Sequence, residues 1–81
     1  MSEYPKMARE ILEKFSDGSP VGKVMDVARL RDFFSHMTLP EGVDLIDSIS
    51  DIRQLYVLIG VGMKGFLYYK TTKRIAELMG V

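Results

Sequence analysis

The sequence predicts a mainly helical α+β domain with three helices in its first fifty residues, a β-hairpin near 55–71 and a short C-terminal helix. An all-α bundle of four to five helices is the alternative. Three observations carry this reading: a strict helical period of apolar residues in the first half, a glycine-punctuated apolar run at 55–69, and a periodic segment that ends at Gly80.

The first helix is the clearest. Tyr4, Met7, Ala8, Ile11, Leu12 and Phe15 recur at helical spacing, while Lys6, Arg9, Glu10, Glu13 and Lys14 fill the other face. Pro5 fits a first turn, and Asp17, Gly18, Ser19 and Pro20 supply a stop and a turn. A second helix follows from near Gly22 to His36, with Val24, Val27, Leu30, Phe34 and Met37 on one stripe and Ala28 and Phe33 at its edges. Thr38 and Glu41 then have the spacing of a capping box, with Pro40 inside the first turn. A third helix therefore starts there, with Val43, Ile46 and Ile49 on its buried side.

The run Leu55 to Tyr69 decides the fold class. Ile52, Leu55, Tyr56, Ile59 and Met63 keep a helical period, but the segment is rich in β-branched and aromatic residues. A continuous helix through Gly60, Gly62 and Gly65 would forfeit about 1 kcal/mol at each glycine relative to alanine. Strands near 55–61 and 66–71 around a Gly62-Met63-Lys64-Gly65 loop place two of the glycines where a positive φ carries no penalty. The hairpin is the favoured reading, and two helices broken at the glycines is the other. The last helix, Thr71 to Met79, turns Ile75, Leu78 and Met79 inward and stops at Gly80. Lys73 and Arg74 in its first turn would oppose the helix dipole, so either the helix begins earlier or these cations serve another purpose.

Composition narrows the function. With 81 residues, 47% of them hydrophobic, the chain forms a single small domain spanning 1–81 with a real core. Cysteine is absent, which removes disulfides, thiol catalysis and cysteine-ligated metals and favours a cytoplasmic location. No signal-peptide pattern opens the chain, and the run at 55–69 is shorter than the roughly 20 residues a membrane helix needs. His36 is the single histidine and reads as a helix-terminal residue, so no catalytic residue, metal ligand or cofactor site is assigned. Gly60, Gly62 and Gly65 match G-x-G-x-x-G in form, but the fingerprint needs a following helix and an acid about 20 positions later, and the sole downstream acid is Glu77.

Charge is the most usable clue. The eleven basic and eleven acidic residues cancel overall, yet Glu41, Asp44, Asp47 and Asp51 give residues 41–51 a net of −4. Residues 52–81 carry Arg53, Lys64, Lys70, Lys73 and Arg74 against Glu77, a net of +4. The acidic segment reads as a solvated face. Tyr56, Phe66, Tyr68 and Tyr69 could stack on bases, although core packing with one tyrosine at the surface is the simpler account.

The element order of helix, helix, helix, hairpin and short helix is similar to that of winged-helix domains. The resemblance implies Lys64 at a wing tip on DNA phosphate, with Lys70, Lys73 and Arg74 at its base. The third helix departs from that pattern, being acidic where a base reader needs Arg, Lys, Asn or Gln. Two functions follow. One is a small non-enzymatic regulator that binds double-stranded nucleic acid through Lys64, Lys70, Lys73 and Arg74, as a homodimer. The other is a protein-interaction module or homo-oligomer subunit, its apolar 55–69 surface covered by another chain and segment 41–51 meeting 64–74 across a two-fold interface.

Overall fold

The computed structural model describes residues 3–16 and 24–80, and they form five α-helices with no strand among them. These are α1 (Tyr4–Ser16), α2 (Val24–His36), α3 (Leu39–Ser48), α4 (Ile52–Val61) and α5 (Phe66–Met79). The turn expected at Asp17 to Pro20 and the helix start expected near Gly22 lie outside the described residues.

The core follows from the apolar stripes. Ala8, Ile11, Leu12 and Phe15 of α1 meet Leu30 and Phe34 of α2, Leu45 and Ile46 of α3 with Ile49 beyond it, and Leu55, Leu58 and Val61 of α4. Each fully buried leucine or isoleucine contributes about 1.5–3 kcal/mol relative to exposure. α4 packs against α1, α2 and α5, and α3 against α1 and α5. The buried side of α3 is rotated from the expected one: Gly42, Leu45, Ile46 and Ile49 face inward and Val43 is half-buried. The reason is Gly42, which brings Leu67 of α5 so close that a Cβ there would lie 2.9 Å from a Leu67 methyl. The α3 N-terminus matches the sequence: Thr38 accepts from the Glu41 amide and Glu41 accepts from the Thr38 amide, with Pro40 in the first turn.

The hairpin expected at 55–71 is not present, and with it goes the winged-helix element order. The all-α alternative is the correct class. A single helix through 55–71 would have to carry three glycines. The chain breaks instead: Gly62 (φ 82°) caps the C-terminus of α4 and Gly65 (φ 69°) precedes α5, so both sit where a Cβ would be strained. Of these three, only Gly60 lies inside a helix, a cost of about 1 kcal/mol. The loop 62–65 was thus located correctly with the wrong structure on either side. α5 also starts five residues before Thr71, which places Lys73 and Arg74 in mid-helix and removes their conflict with the dipole.

The three glycines should respond differently to alanine. Nothing lies within 4 Å of a Cβ at Gly60, so Gly60→Ala is expected to stabilise by about 0.5–1 kcal/mol in urea denaturation. Gly62→Ala and Gly65→Ala are each expected to destabilise by about 1–2 kcal/mol. A loss at position 60 or neutrality at both 62 and 65 would contradict these backbone assignments.

Candidate interaction surface on the last helix

The charged segments expected to meet across two chains meet within one. Lys70 of α5 reaches Asp47 of α3 at 3.1 Å, with the Lys70 side chain only 19% exposed. Arg74 donates from Nε to the Ile49 carbonyl at 2.9 Å, just past the C-terminus of α3. Asp51 caps α4 by accepting from the Arg53 amide and also pairs with the Arg53 guanidinium at 3.2 Å. Glu41 belongs to its capping box, and Asp44 lines an open groove with Lys6 and Arg9 between α1 and α3. Arg9 also donates to Ser48. The acidic run is largely committed to helix caps and ion pairs.

A second arginine repeats the device used by Arg74. Neither α3 nor α4 has a basic residue in its own last turn, yet each ends on a carbonyl held by an arginine from another helix. Arg31 of α2 donates to the Val61 carbonyl from Nε at 3.0 Å and from Nη2 at 2.8 Å. A cation at a helix C-terminus satisfies an orphan acceptor and opposes the negative end of the dipole.

Of the four cations expected to contact nucleic acid, Lys70 and Arg74 therefore hold α5 to α3. Lys73 is exposed, with its Nζ 5.9 Å from the Tyr69 ring centroid. Lys64 lies in the α4–α5 link and, with Arg31, Phe34, Met63 and Leu67, borders a small open groove. Lys70, Lys73 and Arg74, three and four residues apart, share one side of α5, and Lys64 lies in the link before it. His36 is the last residue of α2, stacks on Tyr4 at 4.9 Å and contacts the Asp32 carbonyl through Nδ1 at 2.8 Å, as a helix-terminal histidine should. A helix does follow Gly65, contrary to expectation, but a helix also precedes Gly60, so the strand a dinucleotide fingerprint requires is absent.

The feature sequence reasoning missed is the other side of α5. This helix supplies no fully buried hydrophobic side chain. Leu67 and Ile75 are half-buried against the core, and the buried residue is Thr71, whose hydroxyl donates to the Leu67 carbonyl at 2.8 Å. Five of the eight exposed large hydrophobics among the described residues lie on α5: Phe66, Tyr68, Tyr69, Leu78 and Met79. Tyr69 is 53% and Met79 58% exposed, and Tyr56 of α4 adds another exposed ring. The expectation of one surface tyrosine in this region is corrected, since Tyr56, Tyr68 and Tyr69 are all at the surface. The signal was available: at 100° per residue, α5 has apolar or small side chains over more than half its circumference, while Lys70, Lys73, Arg74 and Glu77 crowd into the remainder.

No helix among the described residues is long and apolar enough to cross a membrane.

Arg74→Met should lower folding stability by about 1.5–3 kcal/mol, the range for a charge-assisted hydrogen bond. Lys73→Met, on the solvent side of the same helix, should stay within about 0.5 kcal/mol of the parent. Equal effects in denaturant titration would be inconsistent with the separate placement of the two cations. Comparison with known protein families, curated proteins and solved structures returned no match.

Proposed function

We propose that this chain is a non-enzymatic protein-interaction module that presents the outer face of α5 to another protein chain. The observation that carries this reading is the concentration of exposed Phe66, Tyr68, Tyr69 and Met79 on a helix that gives its own core no fully buried hydrophobic side chain. Scattered surface apolar residues are ordinary, whereas several large ones on one element mark contact sites. Tyrosine and methionine suit such a site, because a ring with a polar tip tolerates water before docking and a thioether adapts its shape. A cytoplasmic location goes with this reading, since the chain contains no cysteine.

The nucleic-acid reading has less support. Two of its four cations, Lys70 and Arg74, are engaged with α3, which leaves Lys64 and Lys73 as the less committed pair. Phosphate binding needs several cations along one surface.

The test is site-specific photo-crosslinking in cells that make the protein. A photoreactive residue in place of Tyr69 should give a higher-mass protein adduct, and one in place of the exposed Arg29 of α2 should not. Absence of any adduct from position 69, equal adducts from both positions, or an adduct made only of nucleic acid would overturn the interaction-module reading.

A further inference from the structure

We infer that the corner between α4 and α5 is a two-position hinge. Closed, it folds α5 back onto its own α3; open, it joins α4 and α5 into one helix that delivers α5 to the same seat on a second copy. This goes beyond the interaction-module reading, since it concerns the inner face of α5 and not the outer one.

The closed corner is held by chemistry that a straight helix would have to undo. If α4 continued, the Gly65 amide would donate to the Val61 carbonyl, four residues earlier. That carbonyl already accepts from Arg31 Nε at 3.0 Å and Nη2 at 2.8 Å, so a side chain of α2 takes both of its lone pairs. Gly62 and Gly65 stand at φ 82° and 69° on either side of Met63 and Lys64. Glycine adopts such angles freely and is about fivefold less favourable than alanine inside a helix, so both residues favour the corner. A Cβ at Gly65 would meet nothing within 4 Å, which leaves the backbone angle, not space, as the reason for glycine there.

Opening has one outlet. A continuous helix from Ile52 to Met79 would be about 42 Å long at roughly 1.5 Å per residue. The closed molecule measures 31 Å in its longest direction, so the far half of such a helix points away from its own α3. It vacates a seat matched to itself: the bare Gly42 backbone for Leu67, Asp47 for Lys70 and the Ile49 carbonyl for Arg74. The α5 of a second open copy brings the same three side chains in the same order. Exchange about a two-fold axis at the straightened corner fills both seats. No member of the fully buried cluster belongs to α5, so each body keeps that cluster while its last helix is away.

Alanine reverses the preference at each glycine, disfavouring the corner about tenfold and favouring the helix about fivefold. Gly62→Ala/Gly65→Ala should therefore lower the dissociation constant of the exchanged dimer at least about a thousandfold, read by sedimentation velocity across the micromolar range. Because the chain has no cysteine, exchange is read directly with Asp47→Cys in one copy and Lys70→Cys in another, refolded together from urea and treated with a short bismaleimide. In the alanine background, mass spectrometry should find the mixed adduct between positions 47 and 70. In the glycine background it should find at most a trace. An alanine variant that remains a helical monomer, a dimer without the mixed adduct, or an adduct formed equally in both backgrounds would overturn the inference. Should the alanine variant lose helix content by circular dichroism, Arg31→Met in the glycine background frees the Val61 carbonyl and should raise the adduct yield about tenfold. An unchanged yield would then overturn the inference. All of these outcomes are read on the purified chain alone, and none depends on whether position 69 crosslinks to another protein in cells.

Discussion

The corner between Val61 and Gly65 is the constraint on which the remaining arrangement depends. Gly62 terminates α4 in the left-handed region, Gly65 releases the chain into α5, and Arg31 grips the carbonyl at Val61 with two donors. A helix end buried without partners is costly, and here the partner comes from α2, two helices earlier in the chain. Fixing that carbonyl fixes the direction in which the chain leaves, and so the line α5 takes along α3 and α4. Along that line Leu67 lies over Gly42, Lys70 meets Asp47 and Arg74 reaches Ile49.

This arrangement also explains the charge separation along the chain. An acidic segment followed by a basic one looks like a surface prepared for an external partner. Because the acidic residues sit on α3 and at the start of α4 while the basic ones sit on α4 and α5, folding brings the two together. Ion pairs of this exposure contribute about 1 kcal/mol or less each, so they orient α5 more than they stabilise it. Arg74 is the stronger element, since it satisfies a carbonyl at a helix terminus.

What was legible in the sequence divides by the range of the cause. α1, the capping box at Thr38 and the stop at Gly80 are set by residues within a few positions, and all three stand where their spacing placed them. The class of 55–71 was not legible in the same way. β-branched and aromatic residues favour strands weakly, and burial of Leu55, Leu58 and Val61 in a core shared with α1 and α2 overrides that preference. The candidate cations could be named from the sequence, but their commitments could not. Lys70 and Lys73 look alike in the chain and lie only about 60° apart around α5, yet that is enough to set one against Asp47 of α3 and leave the other exposed beside Tyr69. The aromatic face was obscured by the same error of class, since a strand would have sent alternate rings into the core.

The lack of a fully buried hydrophobic side chain on α5 bears on the order in which the molecule comes apart. Helices α1 to α4 share the buried cluster and must lose it together. α5 is retained by half-buried Leu67 and Ile75, a satisfied threonine and two cations, none of which is needed to close that cluster. Its own side chains add no member to that cluster, the property expected of an element that opens separately from it. During synthesis α5 also emerges after every side chain of the buried cluster. The chain therefore carries two layers of cohesion, an inner unit that folds as a whole and an outer helix whose hold can be tuned by changing one residue.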